Sequence, residues 1–384
     1  MTDKTKNIGE KSLEAHKKLR GKISISSKDS VTDKDKLSLY YTPGVGAVSS
    51  YVANNPDVAR DYTWLNNTVA VISDGSAVLG LGNLGPIGAL PVMEGKAMLF
   101  KQFAGIDGIP IVLDVHTADE IFDAVKAIAP SFGAINLEDI AAPICFEVEE
   151  RLKNDLRMPI MHDDQHGTAI VVLAGLINAM KVVNKDLNSC TLVVSGVGAA
   201  GVAIMKLLKL YAPGLKIIAC DSKGIINTDR GDLNSTKQLL LSDQIIYPDA
   251  SGTMADGLSD ADIFVGVSQP GILTSEMIKT MSKNPVIFAM ANPTPEIMPD
   301  EAIAAGVKVM ATGRSDFPNQ VNNALAFPGI FRGALDNRVN KITDKHKIDA
   351  AEVIANFVKI PTPENIIPSI FAEGLSDKIA TTIK

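Results

Sequence analysis

The chain has 384 residues, enough for two or three domains. Hydrophobic residues make up 46% and charged residues 21%, which excludes a disordered or fibrous chain. Lys+Arg 37 against Asp+Glu 44 leaves a net charge of −7 with no long basic run, which argues against a nucleic-acid partner.

Residues 1–36 are polar and Lys-rich; a short helix is expected around Ser12–Leu19 and loop elsewhere. The first twenty residues are charged throughout and lack the apolar centre of a signal peptide. Cys145, Cys190 and Cys220 lie far apart with no CxxC, which points to a reducing, cytoplasmic setting. The longest nearly apolar stretch, Gly167–Met180, is 14 residues. That is shorter than the ~20 that cross a bilayer, so no membrane partner is expected.

From Thr68 onward, β-rich apolar runs alternate with helix-like segments. The runs are 69–73, 109–115, 133–137, 158–162, 191–195, 215–220, 261–267, 285–291 and 307–312. Such runs mark parallel strands buried on both faces, and the expected class is α/β, doubly wound. Two blocks are expected, 1–160 and 161–335, joined by a long helix after Gly167. A helical tail, 336–384, is broken by IPTPE (360–364) and is expected to pack back on the first block.

GxGxxG occurs twice. Gly196, Gly198 and Gly201 follow the strand TLVVS and open a helical stretch. A second strand then ends at Asp221, about 20 residues on, as a dinucleotide-binding βαβ unit requires. Such glycines allow a tight turn and let backbone approach a pyrophosphate at a helix N-terminus. Asp221 could accept from a ribose 2′-hydroxyl, which favours NAD; Ser222 and Lys223 beside it could hold the 2′-phosphate of NADP. The second match, Gly80, Gly82 and Gly85, lacks the acidic partner, and Pro86 and Pro91 should interrupt the helix after it. It is read as a structural loop shaping a cleft.

Glu138 and Asp139 follow one strand, and Asp163 and Asp164 follow another. α/β proteins place ligands at such carboxyl ends. Converging carboxylates repel unless a cation joins them, and Mg²⁺ or Mn²⁺ takes oxygen ligands of this kind. Acidic residues are also favoured in a helix's first turn, so capping remains open. His162 and His166 fall in the turn beside the second pair and are read as structural or supporting. Lys96 lies in an apolar segment and is either a snorkelling surface residue, the commoner case, or a buried base. Tyr41, before a Pro-Gly turn, is read on its own as a half-buried aromatic.

YTPGVG (41–46), SDGSAVLGLGNLGPIGALPVMEGKAMLFKQFAGID (73–107), INLEDI (135–140) and MHDDQHGTA (161–169) occur in order. SGVGAAG (195–201), ANPTPE (291–296), TGRSDFPNQVNNALAFPG (312–329) and IPTPE (360–364) follow. Together they resemble malic enzyme of the short prokaryotic branch, which has no phosphotransacetylase-like extension. The resemblance implies an N-terminal α/β malic-enzyme domain, a Rossmann-type NAD(P)-binding domain and a helical tail. It implies oxidative decarboxylation of L-malate to pyruvate and CO₂ with NAD(P)⁺ and Mg²⁺ or Mn²⁺. In that scheme Tyr41 is the general acid, Lys96 the general base, and Asp163 supports Lys96. Glu138, Asp139 and Asp164 ligate the metal. Asn292 and Asn323 hold the substrate carboxylate, and Gly196, Gly198, Gly201 and Asp221 hold the cofactor.

The resemblance also implies a homodimer in which Tyr41 reaches the partner's site, with residues 21–36 permitting the exchange. One departure stands out: Ala77 occupies the place where longer relatives carry a malate-gripping Arg. Arg314 is a candidate replacement, weighed against a structural loop salt bridge. The closest rival reading is an oxaloacetate decarboxylase of the same family without net redox change. A non-catalytic NAD-responsive binding module is a rival of a different class. Malolactic chemistry is disfavoured because the resembling enzymes are longer.

Overall fold

The nine apolar runs are strands, and the computed structural model, which describes residues 3–384, adds a tenth. They are β1 (Thr68–Ser73), β2 (Asp107–Val112), β3 (Ala134–Leu137), β4 (Ile160–His162), β5 (Thr191–Ser195), β6 (Lys216–Asp221), β7 (Gly224–Ile225), β8 (Ile263–Gly266), β9 (Val286–Ala289) and β10 (Val309–Thr312). They form a four-stranded sheet, β2-β1-β3-β4, and a six-stranded sheet, β10-β9-β8-β5-β6-β7. Every pairing is parallel except β6 with β7. The short β7 carries no apolar run and was not expected.

Register decides the chemistry above the first sheet. Ile72 pairs with Leu137, and Leu137 with His162. The residues that leave β3 and β4, Glu138 and Asp163, therefore emerge side by side.

The helix Asp163–Val183 begins at Asp163, not after Gly167, and is buried along most of its length. Its 21 residues have the length and hydropathy of a membrane span, beyond the 14-residue estimate. Its apolar sides meet the helices Ala199–Tyr211 and Asp344–Phe357 rather than lipid. The helix Gly85–Ala104 runs through both prolines. Pro86 sits in its first turn, where the missing N–H costs nothing. Pro91 forfeits one bond, to the carbonyl of Ile87, an exposed residue. Phe100 of this helix meets Phe327 and Phe331 edge-on at 4.7 and 5.3 Å, locking it to the helix Phe327–Asp336.

The N-terminal segment is more helical than its composition suggests. Helices span Asp3–Leu19, Lys34–Tyr40 and Gly44–Asn54, and none of the last two buries a side chain.

Candidate active site

A cavity of about 1090 Å³ lies above the carboxyl ends of the first sheet. It extends to the β5 glycine turn, with Gly198, Ala199 and Ser268 on its far wall. The loop after β1 shapes the near wall. Asp74 Oδ1 accepts the Ser76 N–H at 3.0 Å and hydroxyl at 2.6 Å. Ser76 Oγ accepts the Ala141 N–H at 2.8 Å, and the Ala77 N–H donates to the Asp139 carbonyl at 3.0 Å. A Cβ on Gly75 would fall 2.1 Å from the Gly85 carbonyl oxygen, so only glycine lets the loop pass the helix start. The Gly80–Gly85 stretch is thus a structural loop bordering the cleft.

Lys96 does not snorkel. Its side chain is 7% exposed, and Nζ contacts Asp163 Oδ2 at 2.5 Å and Glu138 Oε1 at 2.7 Å. It also lies 4.4 Å from the centroid of the Phe327 ring. Burial works against the ammonium, but Asp163, Glu138 and Asp164 outweigh it and raise its pKa. The carboxylates around it therefore favour the ammonium form of Lys96.

Glu138 and Asp163 are pushed up by burial, and Lys96 opposes the shift in both. Burial and the Asp164 charge push Asp139 up to about 7. Asp139 has a left-handed backbone (φ 53°), a conformation a short polar side chain tolerates. Its N–H donates to Asp164 Oδ2 at 2.7 Å. Asn136 Nδ2 donates to Glu138 Oε2 at 2.9 Å.

Oxygen-only donors suit a hard divalent cation. Asp139 Oδ2 and Asp163 Oδ1 are buried with no partner. Glu138, Asp139 and Asp164 line the cavity, whereas Asp163 faces Lys96. The chemistry of this set fits a metal, although among the described residues no three His, Cys, Asp or Glu side chains are already grouped as a metal cage.

His162 and His166 lie at the start of a helix rather than in a turn. His162 is its N-cap, fully buried with neither ring nitrogen hydrogen-bonded. His166 Nε2 meets Glu149 Oε2 at 2.8 Å, and burial lowers its pKa to about 4. Glu149 Oε1 accepts the His162 N–H at 3.0 Å and the Lys153 ammonium at 2.5 Å. This buried glutamate fastens the strand–helix junction that carries Asp163 and Asp164. Sequence reading missed it; its only signal was the i,i+4 pairing with Lys153.

Asn292 and Asn323 both line the cavity. Arg314 does not: its guanidinium grips both Asp316 oxygens, at 2.9 and 2.8 Å, and donates to the Pro293 carbonyl. This is the loop salt bridge. Ala77 lines the cavity, so no arginine stands there.

Tyr41 is neither half-buried nor in the cavity. It is 66% exposed, just after the Lys34–Tyr40 helix.

The glycine fingerprint behaves as its spacing predicts. Gly196 takes φ 104°, and a Cβ there would lie 2.7 Å from the Val267 carbonyl oxygen. A Cβ on Gly201 would fall 2.0 Å from the Gly196 carbonyl oxygen. A Cβ on Gly198 meets no protein atom within 4 Å, so folding does not demand glycine there.

A second cavity, about 660 Å³, is lined by Gly196, Asp221, Ser222 and Lys223. Asp221 is not a free acceptor. Arg230 pairs with both its oxygens at 2.8 and 3.0 Å, and Lys237 reaches Oδ2 at 2.5 Å. Burial opposes ionisation, yet these bonds hold the carboxyl at about 2.

Comparison with known proteins agrees with this geometry. Residues 165–384 match the family "Malic enzyme, NAD binding domain". Residues 20–120 and 116–153 match "Malic enzyme, N-terminal domain". The chain belongs to the malic enzyme family. A bifunctional malic/malolactic enzyme of Bacillus subtilis is 49% identical over 98% of this chain and 92% of its own. An NAD-dependent malic enzyme of Geobacillus stearothermophilus is 50% identical over 98% of this chain and 78% of its own. A solved NAD-dependent malic enzyme of Thermotoga maritima superposes with TM-score 0.93 at 48% identity, covering 97% of this chain and 98% of that one. The malic enzyme fold of two mainly parallel sheets with flanking helices and a helical C-terminus is therefore that of this chain.

Proposed function

We propose that this member of the malic enzyme family oxidatively decarboxylates L-malate to pyruvate and CO₂ with NAD(P)⁺. The observation that carries the reading is Lys96, buried against Asp163 and Glu138 in the same cavity as the dinucleotide turn. Glu138, Asp139 and Asp164 would hold Mg²⁺ or Mn²⁺. When bound, the metal supplies Lewis acidity at the substrate oxygen and the nicotinamide accepts the hydride.

The residues do the rest. Lys96 becomes a base only when the charges that hold it are spent elsewhere. Glu138 and Asp164, two of the three carboxylates that keep it protonated, belong to the proposed ligand set. Lys96 then takes the C2 hydroxyl proton as hydride leaves, while Asp163 keeps its amine oriented. Loss of CO₂ from the β-keto acid leaves an enolate, which a tyrosine hydroxyl protonates at C3. Asn292 and Asn323 donate to the substrate carboxylate.

Tyr41 supplies that proton from a second copy of the chain. Three observations support a shared site. Tyr41 lies outside its own cavity, and the helices around it bury none of their side chains. Leu37, Leu39, Tyr40, Tyr51 and Trp64 present exposed apolar surface on the same segment. Mixing Tyr41→Phe and Lys96→Ala subunits should restore part of the activity; no recovery would place Tyr41 elsewhere.

The Bacillus subtilis relative is named for malolactic activity as well and matches over 92% of its length. Length therefore no longer argues against malolactic chemistry, which is the second reading. Absorbance at 340 nm with L-malate, Mn²⁺ and either cofactor separates the two. A metal-dependent rise supports the oxidative reading. Malate consumed without a rise supports the malolactic one.

A further inference from the structure

The proposed substrate poses a charge problem. Malate is a dianion, and the cavity offered to it is walled by Glu138, Asp139 and Asp164, whose combined charge one divalent cation does not fully balance. Lys96 is already committed to Asp163 and Glu138. Arg314 is committed to Asp316, and Ala77 presents only a methyl group.

We propose that Lys22 supplies the missing cation and holds a carboxylate of the dicarboxylic substrate, an inference that rests on the malate reading. Lys22 lines the same cavity as Lys96. Its N–H donates to Glu94 Oε2 at 3.1 Å and its ammonium to the Pro91 carbonyl at 2.5 Å, seating it on the Gly85–Ala104 helix. The ammonium lies 3.5 Å from where a Cβ on Gly95 would stand, an ordinary contact that places it beside the residue before Lys96. Lys22 and Lys96 therefore open onto one cavity from neighbouring positions along the Gly85–Ala104 helix.

Among the described residues, Lys22 makes no ion pair within 4.0 Å, and its one hydrogen-bond acceptor is a neutral carbonyl. Two of the three ammonium hydrogens are left for a ligand. Asn292 and Asn323 line the same cavity but bring no charge. His16 also lines it, but its Nδ1 is engaged with Ser12 at 2.7 Å.

The test uses the full-length chain, Lys22→Gln and Lys22→Arg, with L-malate and cofactor varied separately. Lys22→Gln should raise the malate KM roughly 10- to 100-fold, the range of a charge-assisted hydrogen bond. It should change kcat by less than about threefold and leave the cofactor KM alone. Lys22→Arg should recover most of the loss. A malate KM within about twofold of the parent, or an equal rise in both KM values, would overturn the assignment.

A readout independent of turnover keeps the two proposals apart. L-malate with Mn²⁺ should raise the melting temperature of the parent and of Lys22→Arg but not of Lys22→Gln. If the parent is protected yet inactive, the reaction is wrong and the Lys22 assignment survives. If Lys22→Gln is protected as well as the parent, the Lys22 assignment fails whatever the reaction.

Discussion

Replacing Lys96 with Met should damage stability and catalysis together, and a second substitution should separate them. Lys96 is the hydrogen-bond partner of Asp163 Oδ2, and Asp163 Oδ1 has none. Removing the ammonium leaves Asp163, 0% exposed, with neither oxygen partnered. Removing one member of a buried ion pair costs about 3–5 kcal/mol. Returning the cluster to its parental net charge with Asp163→Asn in the Lys96→Met background should recover about 1–3 kcal/mol of that loss. Activity should follow a different rule. Loss of a general base costs about 10²–10⁴ in rate, and the double variant should stay as inactive as the single one. Urea unfolding gives the first quantity and malate-dependent NAD(P)H formation the second. Near-parental turnover by Lys96→Met, or a double variant no more stable than the single, would refute the reasoning.

The two glycines of the dinucleotide turn should respond differently. Gly201→Ala forces a Cβ against the Gly196 carbonyl and should lower the melting temperature, whereas Gly198→Ala should melt like the parent yet bind cofactor more weakly. Titrating intrinsic fluorescence with NAD⁺ and NADP⁺ checks this; unchanged cofactor affinity in Gly198→Ala would remove that residue from the site. Asp221→Asn should release Arg230 and Lys237 and raise the NADP⁺-to-NAD⁺ ratio of kcat/KM by roughly tenfold, the worth of one charge-assisted contact. An unchanged ratio would mean this cluster does not meet the ribose. His166 is held by burial to about 4 against an ordinary 6.5. The unfolded chain therefore binds this proton below 6.5 while the fold refuses it, so His166 costs stability as pH falls from 6.5 towards 4. His166→Gln should flatten that part of the stability–pH curve, and an undiminished slope would assign it to other groups.

Much of this was legible because the strands are apolar throughout. VAVIS and TLVVS announce themselves by composition, and parallel pairing follows from the helices between them. The carboxylates were found by position alone, since Glu138 and Asp163 sit one residue beyond their strands. What escaped was side-chain commitment. A sequence shows that Asp221 closes a strand, but not that Arg230 and Lys237, 9 and 16 residues on, already occupy it. Nor does it show that Lys96 is buried, because burial depends on Asp163, 67 residues away. Pro86 and Pro91 misled for a local reason: a first-turn proline is compatible with a helix, and one lost bond at an exposed residue is bearable. The helices Lys34–Tyr40 and Gly44–Asn54 escaped because they are short and bury no side chain, so no apolar core stripe marks them.

The most direct test of the central claim is product stoichiometry in a single reaction. The full-length chain is incubated with L-malate, Mn²⁺ and NAD⁺ or NADP⁺, and reduced cofactor, pyruvate, lactate and CO₂ are measured together. Oxidative decarboxylation predicts equal amounts of reduced cofactor, pyruvate and CO₂, no lactate, and no product when Mn²⁺ is chelated. Lactate and CO₂ without reduced cofactor would contradict it in favour of malolactic chemistry. No turnover of malate, with oxaloacetate decarboxylated under the same conditions, would overturn the redox assignment altogether.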